Sequence, residues 1–98
     1  IITFTHSGYT AFQIASHRPK AEIFAFTDNE RILRKLSLVW GVRSFYSKVF
    51  DNIDDYITHS IDQLLKQKLI NEEDVVVHVG STPILERGRT NMIKLSYV

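Results

Sequence analysis

The segment Thr5-His6-Ser7-Gly8-Tyr9-Thr10 gathers three aliphatic hydroxyls, an imidazole and a glycine into six consecutive positions. Apolar residues resume directly after it at helical spacing, Ala11, Ile14 and Ala15, so it sits where a helix begins. A helix start leaves backbone N–H groups without intrahelical acceptors and carries about half a positive charge, which suits an oxyanion. The hydroxyls of Thr5, Ser7 and Thr10 and the N–H groups from Ser7 to Thr10 would converge on that anion, and Gly8 would let the backbone come close. The same residues also read as a plain helix start, in which Ser7 or Thr10 caps, Gly8 turns and water is the only ligand.

Other chemistry-bearing residues form no constellation. His6 beside a phosphate would favour its charged form and make binding pH-dependent; otherwise it is an exposed loop histidine. His78 falls inside an apolar run and reads as a partly buried, hydrogen-bonded side chain. His17 ends a helix and His59 lies on the solvent side of another, and no pair has metal-ligand spacing. Glu72-Glu73-Asp74 reads as a solvated turn before a buried strand. Trp40 reads as core or interface packing, since no basic patch accompanies it. Neither G-x-G-x-x-G nor G-x-x-x-x-G-K-[ST] occurs, and no nucleophile and base stand at an arguable spacing.

The elements that must position the polar segment follow from apolar pattern and punctuation. Ile1 to Thr5 is a β-branched and aromatic strand, and the first helix stops at Arg18-Pro19. Residues 21 to 27, "AEIFAFT", form an almost continuous apolar run, as expected of a strand covered on both faces. Thr27 and Glu30 have capping-box spacing ahead of a second helix with Ile32, Leu33, Leu36 and Val39, ending near Gly41. Val42 to Tyr46 is a third strand. Asp51-Asn52 opens a third helix with Ile53, Tyr56, Ile57, Ile61, Leu64, Leu65 and Leu69 on one stripe. "DVVVHV", residues 74 to 79, is a fourth strand, and after a loop from Gly80 to about Arg89 "NMIKLSYV" is a fifth. The alternation predicts an α/β fold: a three-layer α/β/α sandwich on a mixed five-stranded sheet of order 3-2-1-4-5, its last strand antiparallel at an edge. In such sheets ligands sit outside the carboxyl ends of the strands, which singles out the loops after strands one and four.

Composition narrows the function classes. With 98 residues and 44% hydrophobic content the chain suits one domain, 1–98. A formal net charge of +1 offers no footprint for nucleic acid or a membrane surface. The absence of cysteine removes thiolate chemistry and fits a reducing compartment, and no apolar run reaches the roughly 20 residues of a membrane span, so a cytoplasmic location is expected. The sequence starts at Ile1, already inside a strand, which suggests excision from a longer chain.

"TFTHSGYTAFQIASHRPKAEIFAFTDNERILRKLSLVWGVRSFY" resembles the C-terminal domain of pyruvate kinase, whose pattern runs T-x-S-G-x-[ST]-A, then R-P, an apolar strand ending in T-x-N, and G-V. "INEEDVVVHVG" and "GRTNMIKLSYV" continue the match with the family's G-D-x-V-V-x-x-x-G and G-x-T-N-x-[ILM]. The resemblance covers essentially the whole chain in order. It implies a parent enzyme that transfers a phosphoryl group from phosphoenolpyruvate to ADP with Mg²⁺ and K⁺, on a (β/α)₈ barrel absent from this segment, so this segment itself is non-catalytic. It further implies a regulatory domain that packs against that barrel and helps assemble a homotetramer, with Ile93, Leu95 and Tyr97 at a subunit interface. In members activated by a sugar phosphate, the part matching Thr5, His6, Ser7, Gly8, Tyr9 and Thr10 wraps one phosphate, opposite the loop that holds Gly80, Arg87, Gly88 and Arg89. This chain departs from the pattern at Tyr9, where Arg or Lys is frequent. It also has Lys48 as the sole cation of "SKVFDNID", where members holding a second phosphate use Trp and Arg. A purely structural, oligomer-forming domain without effector is the alternative.

Overall fold

The computed structural model describes residues 1–81 and 90–98. These form β1 (Ile2–Phe4), α1 (Tyr9–Ser16), β2 (Ile23–Thr27), α2 (Glu30–Leu36), β3 (Val42–Tyr46), α3 (Ile53–Lys66), β4 (Val75–Gly80) and β5 (Met92–Tyr97). The strands make one mixed sheet in the order β3-β2-β1-β4-β5. β2 pairs parallel with β1 and β3, and β5 pairs antiparallel with β4. Element order, strand order and the antiparallel last strand agree with the sequence expectation. The chain divides into two compact units, Ile1–Lys48 and Val49–Val98.

In Ile1–Lys48 every residue of β2 is buried, as its unbroken apolar run requires. Ile23 and Ala25 join Ala11, Ala15, Leu36 and Val42 in one core, with Ile14, Ile32 and Val39 packed around it. Strand alternation turns Phe24 and Phe26 to the opposite face. There Phe45 of β3, the register partner of Phe26, lies 5.3 Å from it between ring centroids. The Ser44 hydroxyl donates to the Leu33 carbonyl at 3.1 Å and ties β3 to α2.

The start of α2 differs from expectation. Thr27 is still the last residue of β2, buried and paired with Tyr46, so it cannot serve as the cap. Asn29 is the N-cap instead, its side-chain oxygen accepting from the N–H of Arg31 at 2.9 Å and of Ile32 at 3.4 Å. The Thr27 hydroxyl accepts from the Asn29 N–H at 3.2 Å. The helix ends at Leu36, capped by Ser37, so Val39 reaches the core from beyond it.

In Val49–Val98, Asn52 caps α3 as expected, accepting from the Asp55 N–H at 2.8 Å and donating to its carboxylate at 2.9 Å. Asp54 and Asp55 occupy the first turn and Lys66 the last, complementing the helix dipole. The stripe Tyr56, Ile57, Ser60 and Leu64 is buried; Ser60, which the apolar pattern left out, satisfies itself by donating to the Ile57 carbonyl. The turn at Glu72, Glu73 and Asp74 is exposed, and the Asp74 carboxylate accepts the Asn71 N–H at 2.8 Å.

His78 corrects another expectation. It is 1% exposed, and neither ring nitrogen has a hydrogen-bond partner among the described residues. Its antiparallel partner is Lys94, whose ammonium can donate but not accept, and which pairs with Asp54 at 3.6 Å. Burial, reinforced by Lys94, pushes the imidazole down to about 4.

Two stability outcomes follow from these local structures. Asn29→Ala lowers stability by about 1 kcal/mol in denaturant unfolding, and Glu30→Ala lowers it by less, because Asn29 and not the Thr27/Glu30 box holds the helix start. The second concerns His78, whose folded value lies below the unfolded imidazole range. Its neutral burial therefore contributes fully above roughly pH 6.5, and that contribution is lost as pH falls toward about 4. His78→Gln flattens the unfolding midpoint across that window relative to the parent protein; an identical acid slope in both would refute the linkage.

Candidate functional site

The β1–α1 loop is built on the β1–β2 pairing. The Thr5 N–H donates to the Phe26 carbonyl at 2.9 Å, which prolongs the pairing past the end of β1. The buried Thr5 hydroxyl then accepts the Gly8 N–H at 2.8 Å. Gly8 turns left-handed at φ 86° and is the N-cap of α1, which no side chain caps. A Cβ on Gly8 would come within 3.3 Å of Phe12, 3.4 Å of Ile32 and 3.5 Å of Leu36. Glycine is therefore required here both by the turn and by the packing of that turn against α2. Ser7 is exposed, and its hydroxyl accepts the Tyr9 N–H at 3.3 Å. Thr10 lies within α1 and so is not its cap, and the Tyr9 side chain, 67% exposed, adds no positive charge.

In the sequence Asp28 falls between Thr27 and Glu30 and carries no role of its own. Phe4 pairs with Phe26, and His6 and Asp28 each lie two residues further along. His6 Nδ1 consequently stands 3.5 Å from Asp28 Oδ1, with both side chains about three-quarters buried. The Phe4 ring meets the imidazole edge-on at 5.1 Å. The signal was available in the rule that parallel neighbours bring the residues after their carboxyl ends together, but the register that makes it specific was not.

The other residues of the expected site separate into two groups. Gly80 ends β4, buried and paired with Met92, and its carbonyl accepts the Asn91 N–H at 3.0 Å. Arg87, Gly88 and Arg89 lie outside the described residues. Ile93, Leu95 and Tyr97 alternate along β5 and are 75%, 60% and 80% exposed. Their register partners Val79, Val77 and Val75 share that face of the β4–β5 pair.

Trp40 is not a core residue: it is 64% exposed, and the Arg18 guanidinium lies 4.2 Å from its ring centroid. A surface concavity of about 440 Å³ beside it is lined partly by Lys20, Glu22 and Arg43, so basic groups do accompany this ring. Glu22 and Arg43 pair across it at 3.7 Å. His17 follows α1 as its exposed C-terminal cap, and His59 is exposed and lies 5.0 Å from Phe50 between ring centroids. Among the described residues no group of three or more His, Cys, Asp or Glu side chains is placed to hold a metal ion.

Residues 1–96 match the family model described as pyruvate kinase, alpha/beta domain. The chain is 38% identical over its full 98 residues to a pyruvate kinase of Clostridium acetobutylicum, covering 21% of that protein. It is 36% identical to a pyruvate kinase of Geobacillus stearothermophilus, covering 17% of it. Among solved structures, a Cryptosporidium parvum pyruvate kinase in complex with ADP superposes with a TM-score of 0.85 at 25% identity, over 98% of this chain and 19% of that one. The chain thus spans about a fifth of the length of these relatives.

Proposed function

Because this chain belongs to the pyruvate kinase alpha/beta domain family, we propose that it is the effector-binding and tetramer-assembling domain of a cytoplasmic pyruvate kinase. In this reading the 98 residues are one domain of a longer chain, consistent with their covering about a fifth of each relative. Phosphoryl transfer from phosphoenolpyruvate to ADP, giving pyruvate and ATP, belongs to a barrel elsewhere in that chain, and Mg²⁺ and K⁺ belong with it. The observation that carries the reading is the family match over residues 1–96.

Thr5, His6, Ser7, Gly8, Tyr9 and Thr10 would bind the phosphate of a small molecule, and Gly80, Arg87, Gly88 and Arg89 are the further candidate ligands. Two physical features support the first segment. It follows the carboxyl end of a parallel strand, where open α/β sheets take their ligands, and it opens a helix with no acidic residue in its first turn. For assembly, an edge strand with three exposed apolar side chains on one face is the kind of surface that a second copy covers.

One observation favours the alternative of a structural domain with an empty loop. The N–H groups of Gly8 and Tyr9 are already taken by Thr5 and Ser7, and the Asp28 carboxylate stands beside His6. Calorimetric titration of the full-length protein with sugar mono- and bisphosphates separates the two. Binding that weakens about tenfold in a Ser7→Ala, Thr10→Ala double variant is expected, and silence from every ligand at millimolar concentration refutes the effector half. In sedimentation of the full-length protein, Leu95→Asp is expected to lower the oligomeric state. A parent protein that is monomeric at high concentration would refute the assembly half.

A further inference from the structure

His6 and Asp28 are the one pair of ionisable side chains that the β1–β2 register brings together at the carboxyl end of these strands among the described residues of Ile1–Lys48. Their separation of 3.5 Å and the burial of Nδ1, which has no better partner, decide how the imidazole is protonated. A lone pair on Nδ1 facing a carboxylate oxygen would be repelled, so Nδ1 carries a hydrogen and Asp28 holds it there. Nε2 is then the atom that gains and loses the proton. Neutral, it is an acceptor; protonated, it is a charged donor.

The charge count around the pair changes with that proton. With His6 neutral, the pair carries the single negative charge of Asp28, which opposes any anion brought to the loop. With His6 protonated, the pair is neutral overall and presents a charged N–H. Among the described residues of Ile1–Lys48, Asp28 is the ion-pair partner of the imidazole; Phe4 meets it from β1, α1 has no acidic residue in its first turn, and Glu30 in the first turn of α2 is exposed. Imidazole is also the side-chain type that changes charge between about pH 5 and 8.

We propose that His6, held by Asp28, is a proton-controlled gate on the anion site of residues 5–10, closed to oxyanions when neutral and open to them when protonated. This rests on the reading of that loop as a phosphate site, and it makes acidity a regulator of effector binding. Position 6 is then a specificity-determining contact and Asp28 a positioning residue that acts through it.

Sulfate is the probe, because it stays doubly charged from about pH 6 to pH 8 and any pH dependence belongs to the protein. Calorimetric titration of the full-length protein at constant ionic strength is expected to show roughly tenfold tighter sulfate binding near pH 6 than near pH 8, the worth of one charge-assisted contact. His6→Gln brings that ratio to about one. His6→Lys, charged at both values, binds tightly at both, and Asp28→Asn tightens binding near pH 8 by removing the opposing carboxylate. Thermal unfolding of each variant confirms that it is folded. A ratio that survives in His6→Gln, or a parent protein that binds equally at both values, overturns the gate and leaves the anion site standing. Asp28→Asn that binds no better near pH 8 overturns the part given to Asp28. No sulfate bound by the parent or by His6→Lys at either value overturns the anion site itself, and the gate with it.

Discussion

β2 is buried along its whole length and paired in parallel on both sides, and the structure of Ile1–Lys48 follows from satisfying that strand. One face carries Ile23 and Ala25, and Ala11 and Ala15 of α1 belong to the same core. Alanine at these points permits close approach of helix and strand, and the approach leaves no room for a side chain at the turn that starts the helix. Gly8 answers that need with a left-handed turn against Phe12, Ile32 and Leu36. The shape of the candidate site is thus a by-product of packing: the loop is tight because the helix behind it must sit close.

The same strand explains what was legible in the sequence. An apolar run covered on both faces can hardly be anything but an interior strand, so β2 was plain, and with it the parallel order of its neighbours. The bounds of β3 and the Asn52 cap were readable because each is a local matter of punctuation and capping chemistry. The start of α2 was not. Thr27 and Glu30 have the right spacing, but spacing does not say that Thr27 is held in the ladder by Tyr46. His78 failed for a related reason: local pattern cannot show that its cross-strand partner is a lysine, which has nothing to offer a buried imidazole as an acceptor.

For the candidate site, residue types in Thr5–Thr10 identified the segment, while the structure supplied the use each group is put to. Thr5 was readable as a hydroxyl facing a helix start, but not as the acceptor for Gly8. Asp28 went unnoticed because its meaning is purely one of register. Trp40 could not be told from a core residue, nor its basic neighbours seen, because the cations beside it, Arg18, Lys20 and Arg43, are spread over twenty-six positions of sequence and meet only in the fold.

These placements bear on how strongly the β1–α1 loop can hold an anion. Two of its N–H groups are already turned inward to its own hydroxyls, so an incoming oxyanion must compete with bonds the loop makes by itself. No fixed positive side chain stands between positions 5 and 10, since Tyr9 is neutral and outward, and Asp28 subtracts from the field of the helix end. A helix terminus contributes only about half a charge, which the carboxylate offsets. Of the side chains at positions 5–10 and 28, the imidazole of His6 is the one able to become positive, and so the one able to reverse the local balance. Any positive side-chain charge this loop can offer an anion therefore rests with the imidazole that stands 3.5 Å from Asp28.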